Sequence, residues 1–316
     1  VFMALAIAIF WGSFGAPIVS ELFFSTDITL GAEYFNSVTP PLFLALYVLM
    51  GVAPLSAWGA TSLPRLARGL AVPLTLTVVT LIVLVVTGTT SFGALLGYGI
   101  VVMAGYVAAY EIYRGAAARH RGLGESWPGA VVALFARNRR RHGGYLVHLG
   151  ITVIGIGVIG SSLFQVETQQ TLAIGESLNV SGYTMRYDNF EGGQIAEDGR
   201  VMDIAQVTVI RGGQEIATLR PRRDSFINAD GTATPMTIAG AYSTIENDFY
   251  VLLVAWERMG TGGATFKVFI NPLINLVWWG GLILMIGTFI AAWPKENAPS
   301  LARESSKGRQ RAGVTA

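Results

Sequence analysis

Few side chains in this sequence are equipped for chemistry, and they lie close together. His148 follows the basic run Arg139, Arg140, Arg141 and His142, then Gly143 and Gly144, and is the one polar interruption of an apolar segment that continues to Ser161. Neutral imidazole is a good ligand for a metal or a haem iron. With no cysteine in the chain, thiolate ligands, thiol nucleophiles and disulfides are all excluded. The residues alone leave two readings of His148 open: an interfacial side chain that snorkels or bonds a headgroup, or a ligand whose partner must come from elsewhere. Met103, Met202, Met236 and Met259 form no evident pair with it. Glu111 stands among Tyr106, Tyr110 and Tyr113, where its carboxylate could pair with a loop arginine or orient an imidazole. Gly150, Gly155, Gly157, Gly160 and Ser161 give the His148 segment a small-residue face, suited to close helix packing or to a flat macrocycle. No catalytic constellation emerges.

These residues must be positioned by elements that live in a bilayer. The 316 residues are 52% hydrophobic and only 13% charged, with a mean hydropathy of +0.51, which excludes an ordinary soluble domain. Spans of about 20 apolar residues are expected near 3–20, 37–59, 68–88, 92–113, 145–164 and 270–293. Residues 1–164 thus hold five spans with a basic loop at 114–144, residues 270–293 form the last span, and 294–316 is a basic, disordered tail. The first span resembles a signal-peptide core but lacks a preceding basic residue and an evident cleavage site. A start at Val1 suggests missing N-terminal sequence or a non-standard start codon.

Charge sets the expected orientation. Fourteen Lys and Arg side chains fall in the loops 60–68 and 114–144 and in the tail, whereas the opposite loops, 21–36 and 89–91, carry only Glu21, Asp27 and Glu33. The positive-inside rule then makes both termini cytoplasmic. It puts 165–269 outside, in the bacterial periplasm, and accounts for the basic balance without nucleic acid.

Residues 165–269 change period. Val180–Asn189, Ile204–Arg211, Gln214–Leu219, Thr237–Ile245, Phe249–Trp256 and Ala264–Ile270 read as strands, with Gly212–Gly213 as a hairpin turn and Gly192–Gly193 and Asp198–Gly199 as loop. The expected fold is a polytopic α-helical membrane protein with an inserted extracytoplasmic antiparallel β domain. Arg220, Arg222 and Arg223 beside Pro221 either hold a carboxylate or propionate or form a solvated turn with Asp224 as partner. Asn179-Val180-Ser181 fits a glycosylation sequon by pattern alone.

Several ordered segments resemble the CcmF-type family of cytochrome c haem lyase subunits. They are Gly31-Ala32-Glu33-Tyr34-Phe35-Asn36, Met50-Gly51-Val52-Ala53-Pro54-Leu55, Asn138 through Gly150, Gly182-Tyr183, Leu219-Arg220-Pro221-Arg222-Arg223, Asn271-Pro272-Leu273 and Trp278-Trp279-Gly280-Gly281. The family's tryptophan-rich haem-handling segment, its two external histidines and a second membrane histidine have no counterpart among these residues, so the chain resembles a C-terminal half. The resemblance implies that His148 is one axial ligand of an intramembrane haem b, beside Gly150 and, more weakly, Glu111. It implies apocytochrome c, other cytochrome c maturation membrane proteins, a haem chaperone and the lipid bilayer as partners. It further implies support for covalent haem attachment, with the second ligand on an upstream segment. A transporter-type permease and a non-enzymatic assembly scaffold are the competing readings. The first would place polar residues along span midplanes, and none are seen.

Overall fold

In the computed structural model, residues 1–26, 28–55, 63–228, 231–257 and 263–294 are described; the expected tail beyond 294, and Met259, lie outside them. The chain opens with α1 (Phe2–Phe10), which passes through a π-helical turn at Trp11–Gly15 into α2 (Ala16–Phe24). Then come α3 (Ala32–Val52), α4 (Leu63–Val86), α5 (Phe92–Leu123), α6 (Trp127–Arg137) and α7 (Arg139–Leu163). Ten strands follow: β1 (Val166–Leu172), β2 (Ser177–Val180), β3 (Tyr183–Ile195), β4 (Val201–Arg211), β5 (Gln214–Leu219), β6 (Arg222–Ile227), β7 (Ala233–Ile238), β8 (Gly240–Ser243), β9 (Asn247–Trp256) and β10 (Ala264–Pro272). The last element is α8 (Asn275–Ala292).

Among the described residues, six helical stretches are long and apolar enough to cross a membrane: Phe2–Phe24, Ala32–Leu55, Leu66–Val86, Phe92–Leu123, Arg139–Leu163 and Asn275–Ala292. Their outward faces carry large exposed apolar side chains such as Phe23, Ile82, Val86 and Phe289, as lipid-facing surfaces should. Proline sits inside α3, at Pro40 and Pro41, and inside α4, at Pro73. Nearby hydroxyls bond the backbone there: Thr77 donates to the Pro73 carbonyl at 2.9 Å.

Two helices pack with almost no side chain between them. Gly143, Gly150 and Gly157 recur every seven residues on α7 and meet α8, which runs back antiparallel with Gly280 and Gly287 at the same spacing. A Cβ built on Gly150 would lie 2.6 Å from the Leu284 nitrogen and 2.7 Å from the Gly280 carbonyl oxygen. One built on Gly287 would lie 2.7 Å from the Val147 nitrogen. Small residues bring the backbones together here because apolar side chains gain little from leaving lipid.

The strands form two antiparallel sheets, one ordered β1-β10-β9-β8 and the other β2-β3-β4-β6-β7 with β5 also paired to β4. Alternation along the strands explains the sandwich. Tyr183, Met185 and Tyr187 of β3, Val207 and Val209 of β4, Phe249, Val251 and Leu253 of β9, and Phe266 and Val268 of β10 are all buried at period two. Tyr187 and Phe266 meet edge to face at 4.9 Å. The sandwich is fastened to the membrane helices where β10 turns into α8. The Leu273 nitrogen donates to Glu246 O at 2.9 Å, and Asn275 Nδ2 donates to Asp248 Oδ1 at 2.7 Å.

The structure differs from the sequence expectations in identifiable places. The strand expected at Val180–Asn189 is two strands, because Ser181 and Gly182 adopt positive φ values of 45° and 80° and turn the chain between β2 and β3. Thr237–Ile245 divides between β7 and β8, which belong to different sheets. Gly192 and Gly193, expected in a loop, sit within β3 where its register with β4 shifts. The basic interval 114–144 is largely helical, holding the end of α5, all of α6 and the start of α7. Residues 270–272, expected in the last span, complete β10.

Candidate functional site

His148 lies nine residues past the start of α7, about 14 Å along the helix axis at 1.5 Å per residue. The helix begins before the expected span boundary at 145 because Asn138 caps it, its Oδ1 accepting from the Arg141 nitrogen at 3.4 Å. Helical periodicity puts 145, 148, 152 and 155 on one face, and that face meets α5. Tyr145 reaches Glu111 of α5, Thr152 packs on Gly105, and Gly155 abuts Val101 and Tyr47. His148 therefore sits on the α5-facing side, opposite the glycine seam with α8.

The imidazole is half-buried, and its Nδ1 is enclosed with no hydrogen-bond partner. Its neighbour on the same helix behaves differently: His142 Nδ1 bonds the Asn138 carbonyl four residues back at 3.1 Å, while its ring lies edge-on to Phe135 and Tyr145. An enclosed polar atom without a partner costs about 1–3 kcal/mol. A ligand bond to the imidazole, or a proton acceptor supplied beside it, would offset that cost. His148 thus fits a metal or haem iron better than His142 does.

Gly150, expected beside a macrocycle, faces α8 instead, where the Gly280 and Leu284 backbones fill the space a cofactor would need. Its missing side chain serves helix packing. Glu111 is buried on α5, with its Oε1 2.8 Å from Arg114 Nη1 and its Oε2 3.1 Å from Arg141 Nη2 and 3.5 Å from the Tyr145 hydroxyl. Its carboxylate therefore serves arginines from two helices and ties α5 to α7 two turns below His148. Tyr145, one turn from His148, was missed in the sequence; its i−3 spacing from the histidine was the available signal. Tyr47 was missed as well. Its hydroxyl donates to the Ile151 carbonyl at 2.6 Å and brings α3 against the same helix.

The arginines after Leu219 do not converge on one ligand. Arg220 pairs with Glu191 at 2.8 Å, Arg222 lies 3.1 Å from Asp224, and Arg223 donates to the Val254 carbonyl at 3.2 Å beneath the Trp256 ring. Asp224 is fully buried in β6 and also lies 3.5 Å from Arg200, so this segment is a strand with internal ion pairs. In the sandwich, burial raises the Tyr183 and Tyr187 phenols above their usual range, opposed at Tyr183 by the Arg211 guanidinium over its ring and by the bond to Asn247. Among the described residues no group of three or more His, Cys, Asp or Glu gathers to hold a metal ion.

Comparison with known proteins agrees with this division. Residues 163–272 match the family described as the CcmF C-terminal beta-sandwich, the interval occupied by β1 to β10. Over 281 residues the chain is 29% identical to the cytochrome c-type biogenesis protein CcmF of Pseudomonas fluorescens, covering 87% of this chain and 40% of that protein. It is 28% identical over 291 residues to the cytochrome c-type biogenesis protein ccl1 of Rhodobacter capsulatus, covering 89% of this chain and 40% of that protein. A solved structure titled cytochrome c heme lyase CcmF shares the fold, with a TM-score of 0.66 and 23% identity over 93% of this chain and 44% of the other. The chain thus spans about two fifths of the length of these curated relatives, and its β domain is similar to the sandwich described as C-terminal in CcmF.

Proposed function

From this kinship with the C-terminal part of CcmF, we propose that the chain serves in cytochrome c maturation as part of a haem lyase. It supports covalent attachment of haem to apocytochrome c at the outer face of a bacterial inner membrane. His148 is one axial ligand of an intramembrane b-type haem, and the second ligand comes from a segment outside these residues. The observation that carries the assignment is the half-buried imidazole whose enclosed Nδ1 has no partner, on a helix where the other histidine satisfies the same atom with its own backbone.

Bound haem would supply one-electron exchange. The chain's own residues hold and orient. α7 presents His148 toward α5, the Gly143, Gly150 and Gly157 seam fixes α7 on α8, and the pair between Arg141 and Glu111 of α5 fixes its other side. The arginine-rich ends of α5 and α7 are cytoplasmic by the positive-inside rule, as are both termini. The sandwich is then periplasmic, where it docks apocytochrome c or the other maturation proteins. His148 lies on the inner side of the bilayer, away from the thioether chemistry, so its role is to support that step from a distance.

The reading is tested by expressing His148→Ala with the rest of the maturation system and staining gels for covalently bound haem. Holocytochrome c should fall well below wild type at an unchanged level of the chain in the membrane. Undiminished holocytochrome c would remove His148 from the proposal.

A further inference from the structure

The ends of α5 and α7 enclose a second feature that haem ligation does not use. At 32 residues, α5 is about 48 Å long, against a hydrocarbon core of about 30 Å. Its last turns therefore project past the core, and Glu111 marks the level where apolar sequence gives way to Arg114, Arg119, His120 and Arg121. Two adjoining hollows open at that level. One, of about 660 Å³, lies between α5, α6 and α7 and is lined by Tyr110, Tyr113, Arg114, Arg121, Arg141 and His142 around Glu111. The other, of about 600 Å³, shares Tyr110, Glu111, Arg114 and Arg141 and adds Arg68 of α4.

Two arginines thus pair with a single buried glutamate, while Arg121 lines the first hollow and Arg68 the second. The Arg114 and Arg141 side chains are each more than half exposed although both reach Glu111, so their outer donors remain open to the hollow. Guanidinium donors are matched to phosphate oxygens, which they bind by paired hydrogen bonds. Beside the hollows runs a ladder of stacked rings: Tyr110 on Tyr113 at 6.4 Å, Tyr113 on Trp127 at 5.8 Å, and Trp127 on His120 at 4.9 Å. Tyr113 and Trp127 are exposed, as is Val132 on α6. Such rings belong at the headgroup level, and α6 lies there as an interfacial helix with Ala130 and Leu134 turned inward.

We propose that this arginine-lined cleft is a binding site for the phosphate of an anionic phospholipid. The acyl chains lie along the exposed apolar faces of the spans, and the headgroup phosphate is held by Arg114 and Arg141 from the centre and by Arg68 and Arg121 from the two hollows. A basic pocket between spans at the membrane surface is suited to such headgroups. The site lies two turns from His148 and does not depend on haem being bound.

The test is native mass spectrometry of the full chain in detergent, titrated with phosphatidylglycerol or phosphatidylcholine. The wild type should retain one phosphatidylglycerol at concentrations where phosphatidylcholine does not bind. Arg68→Gln with Arg121→Gln removes two lining charges without touching the Glu111 pairs, so folding is preserved, and should weaken phosphatidylglycerol retention about tenfold, the equivalent of about 1.4 kcal/mol. Equal retention of the two lipids, or unchanged retention in the double variant, would overturn the proposal. Displacement of the lipid by millimolar inorganic phosphate would overturn it too, by making the cleft a site for free anions.

Discussion

Gly150→Ala adds one methyl group to the seam between α7 and α8, and the structure sets the size of the penalty. The new carbon would sit 2.6 Å from the Leu284 nitrogen and 2.7 Å from the Gly280 oxygen, roughly 0.8 Å inside the usual contact distance of about 3.5 Å. Both obstacles are backbone atoms, so no rotamer relieves the clash and the helices must move apart. Overpacking of this kind costs about 1–3 kcal/mol, while replacing glycine inside a helix returns about 0.5–1 kcal/mol. Gly144 on the same helix isolates the second term, since a Cβ there meets nothing within 4 Å. Gly144→Ala should therefore be neutral or slightly stabilising, and Gly150→Ala should fall below it by about 2 kcal/mol. Chemical denaturation in mixed micelles, followed by the fluorescence of Trp278 and Trp279, measures both. Gly280→Ala, whose Cβ would lie 2.6 Å from the Gly150 oxygen, should be strongly non-additive with Gly150→Ala, because the second methyl enters a seam already opened by the first. Equal stabilities for Gly144→Ala and Gly150→Ala would refute the close backbone seam.

Other perturbations probe separate parts of the chain. Phe249→Ala, at a fully buried position between the two sheets, should lower the stability of the sandwich by about 3–5 kcal/mol, read by near-ultraviolet circular dichroism during urea unfolding. Tyr187→Phe removes a buried hydroxyl that has no partner, so in the same assay it should be neutral or stabilising by about 1 kcal/mol; a clear loss would mean the hydroxyl is bonded. The folded pKa of Tyr183 lies above the ordinary 10.0 through burial. Its contribution is therefore complete below pH 10 and is lost as pH rises through the folded value, and Tyr183→Phe should flatten that alkaline limb.

Much of this architecture was legible from patterning alone, for reasons that can be stated. The spans announce themselves because a helix in lipid must be apolar over its whole length, and the paired strands β4 and β5 because Gly212–Gly213 joins two alternating runs. β1 was not legible: its sequence, Val166–Leu172, is mostly polar because six of its seven residues are not buried. β6 was hidden by the arginines around Pro221, whose charges suggested a turn although Asp224 lies fully inside. At the site, the start of α7 was not legible, since the cap at Asn138 carries the helix back through residues that read as a basic loop. Gly150 was misplaced because a small residue permits a cofactor and a neighbouring helix equally well. Only the position of Gly280 across the seam decides between them.

The central claim is that His148, and not the other histidine of α7, ligates haem iron. The direct measurement is the reduced-minus-oxidised absorption spectrum of the chain purified in detergent with its maturation partners, compared among wild type, His148→Ala and His142→Ala. The α band of a b-type haem should disappear, or shift with loss of the low-spin form, in His148→Ala and should persist in His142→Ala. An unchanged spectrum in His148→Ala would contradict the account.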